Sequence, residues 1–228
     1  MARIAVVTGG AGAIGGAIAR ALARADHHVI ILDRGGEHPV DLSSESAARA
    51  AAASVLAEHG RCDVLVHAAA SFEQTTLAEF DSQTWRHVQA VNVEAALWLA
   101  QILTPSMARH GFGRIVFVVS DTVWDPPAPE LLAYIASKSA LIGVARSLAR
   151  ALGPDGITVN AVAPGLTRTP AAAAGMPEQA FQAAIARQSI KRALVPEDVA
   201  AAVAFLASDG AGAITGQTLC TDGGLALR

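Results

Sequence analysis

Aromatic side chains are scarce in this chain, only 4% of its 228 residues, and cysteine occurs twice. Cys62 and Cys220 give no disulfide framework and no Cys-x-x-Cys spacing, and they read as small buried hydrophobes. Positive charge is also lacking. The net charge is −3 and the pI is near 6.1, which leaves no basic field for nucleic acid or an acidic membrane surface. Long apolar runs are missing as well. The mean hydropathy of +0.39 raises the question of a membrane span. Charges break every long apolar segment, with Lys138, Arg146 and Arg150 in the richest one, so no membrane-length run forms. The apolar stretch before Thr8-Gly9-Gly10 is too short for a signal peptide, and a cytoplasmic protein is expected. What the chain does have is alanine with valine, leucine and isoleucine, the bulk of a 52% hydrophobic content. That composition suits small-residue helices packed closely on a buried sheet. The length suits one domain over residues 1–228 with a real core.

Residues 3–8 form a short β-branched run of the kind that makes a buried parallel strand. It empties into Gly9-Gly10-Ala11-Gly12-Ala13-Ile14-Gly15-Gly16, and a helical pattern with Ile18 and Leu22 follows. Strand, glycine-rich turn and helix in that order let a backbone approach a pyrophosphate, which the helix N-terminus then holds. Val29 to Asp33 is a second strand ending in a carboxylate. Asp33 lies 18 residues after Gly15, near the spacing at which an acidic residue meets adenosine ribose hydroxyls. A carboxylate there repels the extra phosphate of NADP. NAD is therefore favoured over NADP, although Arg34 follows immediately. The stretch 35–39 is too short for a helix. Val40-Asp41-Leu42 reads as a strand end before a Ser43-Ser44 cap and an alanine-rich helix to His59. Asp41 either reaches the adenine edge or helps the turn.

Cys62 to His67 is another buried strand, closing in Ala68-Ala69-Ala70. A lone histidine such as His67 at a strand end is more often structural than catalytic, and it has no second ligand at metal spacing. From about Asp81 to His110 apolar residues recur at helical intervals, with Pro105 expected to kink or divide the end. Asn92 stands in this apolar setting and needs partners. It either satisfies a break in the helix or holds a water for a site. Gly113 to Ser120 is the clearest strand, with Ser120 at its C-terminal end, where open parallel sheets bind ligands. Fourteen residues on comes Tyr134, opening a helix to about Leu152, with Lys138 one turn along on the same face. A free phenol ionises near pH ~10. A neighbouring ammonium is expected to lower that value toward the range where proton transfer runs well. Residues 157–162 form a further strand, Pro196 opens a last helix, and Gly216 to Thr221 supplies a closing strand.

In order along nearly the whole chain stand Thr8 to Gly15, Asp33, Asp41, Asn92, Ser120, Tyr134 with Lys138, Asn160 to Gly165, Gly216-Gln217 and Asp222-Gly223-Gly224. This set resembles the short-chain dehydrogenase/reductase family. The resemblance implies a doubly wound parallel α/β sheet of six or seven strands with helices on both faces. It also implies an NAD(P)-dependent oxidoreductase that interconverts a small secondary alcohol and a ketone. Tyr134 would be the acid/base, Lys138 would lower its pKa and bind the nicotinamide ribose, and Ser120 would bind the substrate oxygen. Asn92 would hold a water in a proton relay. The cofactor would lie on Gly9, Gly12, Ile14, Gly15, Asp33, Asp41, Leu42, Ala68 and Ala69. Pro164, Gly165, Leu166 and Thr169 would line its nicotinamide pocket, and residues 167–190 would form a substrate lid. No metal is needed, because the cofactor carries the hydride. A homotetramer through the helices near 81–110 and 134–152 is implied, with a dimer as the alternative.

The chain departs from the family in four places. Gly12 and Ala13 stand where the order is often reversed. His67-Ala68-Ala69-Ala70 replaces the usual Asn-Asn-Ala-Gly, which loses an amide and adds a methyl near the adenosine. The Ser-to-Tyr spacing is one residue longer than usual, and an offset alignment would put Asp121 in place of Ser120. The segment after Asp33 lacks the usual helix, which predicts a sheet trimmed on one side. A 3-oxoacyl-thioester reductase using NADPH is the alternative activity. A regulator that binds a dinucleotide without turnover is the remote one.

Overall fold

The computed structural model describes residues 2–35 and 38–227. Seven parallel strands form one sheet: β1 (Arg3–Thr8), β2 (His27–Asp33), β3 (His38–Pro39), β4 (Val64–His67), β5 (Gly113–Val118), β6 (Ile157–Pro164) and β7 (Thr218–Thr221). Their spatial order is β3-β2-β1-β4-β5-β6-β7. The chain winds outward from β1 in one direction and from β4 in the other. The boundary between β1 and β4 is thus the switch point where such sheets open a crevice. Every residue of β4, β5 and β6 is buried, which explains their near-continuous apolar sequences.

Two helical layers cover the sheet. On one face α2 (Glu45–His59), α4 (Ala95–Arg109) and α5 (Leu132–Leu152) pack over Leu65, Ile115, Phe117 and Val159. On the other, α1 (Ala13–Arg24) and α8 (Pro196–Ala207) pack over Val7, Val66, Val116 and Val162. The alanines let helices approach closely, so apolar area is buried without large side chains. Helix α2 begins where the Ser44 hydroxyl accepts the Ala47 N–H and stops at Gly60, with φ of 72°, a left-handed turn that suits glycine. Residues Pro170–Gly175 (α6) and Glu178–Arg187 (α7) form the segment expected as a lid.

Three local expectations change. The strand foreseen at Val40–Leu42 pairs two residues earlier, at His38–Pro39. The Asp41 carboxylate accepts both the N–H and the hydroxyl of Ser43, which turns the chain out of the sheet. Pro105 does not divide its helix, because α4 runs through it to Arg109. Gln101, whose carbonyl loses its partner, and Pro105 both lie on the exposed side, where water satisfies the freed group. The break lies instead at Ala90–Glu94, a π-helical turn between α3 (Ser82–Gln89) and α4.

Candidate active site

The glycine-rich loop after β1 can be built only from small residues. Gly9 has φ of 70°, and a Cβ there would stand 2.7 Å from the Ala69 backbone. A Cβ on Gly15 would lie 2.1 Å from the Gly9 carbonyl oxygen, closer than any side chain is tolerated. No side chain caps α1, whose Ncap is Gly12, and its first turn carries no acid. The free amides and the positive helix end therefore face the crevice unopposed. That cradle fits a pyrophosphate.

A groove of about 840 Å³ opens from this loop. Gly9, Gly12, Ile14 and Gly15 line it with Asp33, Asp41, Leu42, Ala68, Ala69 and Thr169, all expected at the cofactor. Asp33 spends one carboxylate oxygen on the Ala11 N–H at 3.0 Å, so it braces the glycine loop as well as facing the groove. Asp41 is held below the usual carboxylate range by its two bonds to Ser43. Thr169 caps α6. Pro164, Gly165 and Leu166 sit at the end of β6, outside the groove's lining. Gly165 is needed for packing, since a Cβ would meet Asp222 Cα at 2.9 Å. In the lid, Phe181 is buried under the Arg168 guanidinium, so it packs and does not line a pocket, while Met176 is exposed.

Ser120, Tyr134, Lys138 and Asn92 come together beyond the ends of β4 and β5. Lys138 is 2% exposed. Its Nζ donates to the Val118 carbonyl at 2.8 Å and lies 5.6 Å from the Tyr134 ring centroid. Burial alone pushes the ammonium down to about 8. The phenol behaves differently from the sequence expectation. Burial pushes Tyr134 up to about 12, the Ser120 hydroxyl pulls the other way, and the Asp121 carboxyl adds to the rise. Loss of hydration is the largest influence, because the phenolate is the form that needs water. The tyrosine is thus a protonated acid in this state. Ser120 remains the hydroxyl beside the phenol. Asp121, the offset alternative, is buried next to it and raised to about 6 by burial, with Asp222 and Asp125 adding to the rise.

Asn92 lies in the π-turn, fully buried. Its Nδ2 donates to the Ser71 carbonyl at 3.0 Å and the Ser137 hydroxyl at 2.9 Å, and its Oδ1 accepts the Ser71 N–H at 2.7 Å. The side chain therefore clamps the loop after β4 to α5. The displaced backbone of the π-turn leaves the Asn92 carbonyl accepting from His67 Nε2 at 3.2 Å. Of the two sequence alternatives, satisfying a break in the helix or holding a water for a site, the structure bears on the first. The break is there, but His67 meets the freed carbonyl while the side-chain amide grips Ser71 and Ser137.

Sequence reasoning did not single out Phe72, Glu73 or His87, all of which line the groove. The Phe72 ring packs against Tyr134, 4.4 Å between centroids and tilted by 60°, while half its surface faces solvent. Glu73 lies 3.6 Å from His87. The loop 71–76 has no periodicity and no special backbone requirement, so nothing in the chain marked it. No cluster of His, Cys, Asp or Glu suited to a metal occurs among the described residues. Nor is any described helix long and apolar enough to cross a membrane.

A doubly wound sheet with a glycine cradle at its switch point, and Ser, Tyr and Lys at the neighbouring strand ends, defines a nicotinamide-dependent oxidoreductase class. The sequence model of a family described as enoyl-(acyl carrier protein) reductase matches residues 9–226. A probable galactose dehydrogenase of Rhizobium meliloti is 33% identical, over 96% of this chain and 93% of its own length. A 3-oxoacyl-[acyl-carrier-protein] reductase of Mycobacterium bovis is 34% identical, over 100% and 94%. A crystal structure of a protein from Thermus thermophilus superposes with a TM-score of 0.93 at 34% identity, covering 99% of both chains. The chain belongs to the short-chain dehydrogenase/reductase family and is an oxidoreductase acting on a CH–OH group.

Proposed function

We propose that this protein interconverts a small secondary alcohol and its ketone with NAD(H), with Tyr134 as acid/base. The observation that carries this reading is the meeting of Ser120, Tyr134 and Lys138, with Tyr134 packed on Phe72, which lines the same groove as Asp33. The dinucleotide supplies or accepts the hydride at the carbonyl carbon. Ser120 holds the substrate oxygen, and Tyr134, protonated by burial, gives its hydroxyl proton to that oxygen in the reductive direction. In the oxidative direction the same oxygen returns its proton to the phenolate. Lys138 stabilises the phenolate and binds the nicotinamide ribose, and Asn92 supports the relay that refills the proton. Gly9, Gly12, Ile14 and Gly15 hold the pyrophosphate, with Asp33, Asp41 and Leu42 at the adenosine and Ala68 and Ala69 beside it. Pro164, Gly165, Leu166 and Thr169 serve the nicotinamide end, and residues 167–190 cover the substrate. The whole works as one dinucleotide-binding and catalytic unit, cytoplasmic and tetrameric.

NAD is preferred because Asp33 faces the groove where a 2′-phosphate would add two like charges. The second reading, reduction of a 3-oxoacyl thioester with NADPH, is favoured by the Mycobacterium bovis relative and by Arg34 on the groove's lining. A panel of ketones, sugars and acetoacetyl thioester, followed by absorbance with NADH and NADPH, separates them. At least tenfold higher kcat/KM with NADH supports the first reading. A strong NADPH preference with the thioester sinks it.

A further inference from the structure

His67 replaces an amide by an imidazole, and its surroundings leave one hydrogen-bonding arrangement open. The ring is fully buried at the end of β4. The Thr8 hydroxyl oxygen already accepts the N–H groups of Ala68 and Ala69, each at 3.1 Å. Its two acceptor sites are thereby filled, so its proton must go to His67 Nδ1, 3.0 Å away. The Asn92 carbonyl at 3.2 Å from Nε2 can only accept. The ring is therefore the neutral Nε2–H tautomer, an acceptor toward Thr8 and a donor toward Asn92. Burial and the Lys138 charge push its pKa down to about 3, which keeps it neutral. One side of this ring reaches the cradle: Ala68 and Ala69 line the groove, and the Ala69 backbone lies where a Cβ on Gly9 would strike it. Its other side reaches the π-turn whose amide holds Ser71 and Ser137.

We propose that His67 is a positioning residue whose two ring nitrogens separately fix the Thr8–Ala68–Ala69 wall of the cofactor groove and the Asn92 turn behind Tyr134 and Lys138. The inference rests on the groove binding a dinucleotide, as in the proposed function. Without the Nδ1 acceptor, the Thr8 proton must take up another partner and the two alanine amides lose their fixed direction. Without the Nε2 donor, the Asn92 carbonyl is left buried and unpaired in an already irregular turn. The imidazole does both at once, which neither side-chain amide can do.

Two variants separate the halves. His67→Asn sets its Oδ1 where Nδ1 stood and cannot reach Asn92. His67→Gln brings its Nε2 to the Asn92 carbonyl and abandons Thr8. NADH affinity, measured by fluorescence titration, reports on the wall. Hydrogen exchange over residues 70–76 without cofactor reports on the turn, because Asn92 Oδ1 holds the Ser71 N–H. Expected is a crossed result. His67→Gln weakens NADH about tenfold with wild-type exchange, while His67→Asn binds NADH within about twofold and exchanges at least tenfold faster. Equal changes in both readouts for both variants, or no change in either, overturn the proposal. Should a variant fail to fold, nitrogen-15 spectra of the wild-type imidazole decide. An Nε2–H ring, neutral down to pH 5, supports the assignment, and an Nδ1–H or protonated ring at pH 6 overturns it. A wild-type protein that binds neither NADH nor NADPH counts against the proposed function, and the exchange and tautomer arms are still read without cofactor.

Discussion

Tyr134 is the only tyrosine in the chain, so its chemistry has no substitute of the same kind. Tyr134→Phe removes the proton donor and leaves the ring that packs on Phe72. We expect kcat to fall by about three orders of magnitude, the scale of general acid catalysis, while the dissociation constant for NADH changes less than about twofold. Full activity in this variant would rule out the mechanism. Asp121 modulates the same phenol. Raised to about 6, its carboxyl is mostly neutral below that pH and charged above it, and the charged form opposes phenolate formation. Alcohol oxidation, which needs the phenolate, should therefore gain from Asp121→Asn. The expected result is a pH–rate profile that loses its inflection near pH 6 and reaches half-maximal rate at lower pH. An unchanged profile counts against this role. Tyr134, Lys138 and Ser120 were legible from the sequence because a helical spacing and a strand end are local patterns. The raised tyrosine pKa was not, since it comes from burial of the phenol in the folded chain, with the Asp121 carboxyl adding to it.

At the scale of elements, two short irregular pieces hold the site: the glycine turn and the π-turn. Gly15→Ala drives a Cβ into the Gly9 carbonyl, so the loop must open. We expect NADH binding to weaken at least tenfold and the melting temperature to fall, read by titration and calorimetry. Asn92→Leu deprives the Ser71 N–H, its carbonyl and the Ser137 hydroxyl of their partner. A buried unpaired group costs about 1–3 kcal/mol, but Ser71 is only half-buried and Ser137 keeps its bond to the Tyr134 carbonyl. A loss of about 1–3 kcal/mol in urea unfolding is therefore expected, with faster exchange confined first to the loop after β4. The glycine turn could be read in advance, because its demand for small residues is carried by contiguous residues. The π-turn could only be suspected from Asn92, because its location depends on which loop the amide grips.

For the whole molecule, the buried His67 couples stability to acidity. Its folded pKa of about 3 lies below the 6.5 of a free imidazole, so the unfolded chain binds a proton that the folded chain refuses. The stability held above pH 6.5 should decline as pH falls from there toward 3, by up to about 1.4 kcal/mol per pH unit. Urea unfolding at pH 7, 6 and 5 checks this, and His67→Asn should flatten the slope. An equally steep slope in that variant places the acid sensitivity elsewhere. On the alkaline side Lys138, depressed to about 8, acts in the same sense, adding stability as pH rises through 8 toward the free value.

Taken alone, the chain determined the buried parallel strands, the glycine cradle, the acid at the end of β2 and the Ser, Tyr and Lys set. Each of these follows from the periodicity of neighbouring residues or from what one backbone turn tolerates. Only the tertiary structure decided what surrounds them: Phe72 over Tyr134, Asp121 beside it, His67 between Thr8 and Asn92. Those pairs are brought together by the order of strands in the sheet and by burial. Hydration lost at a site is a property of everything packed around it, and no single stretch of sequence carries it.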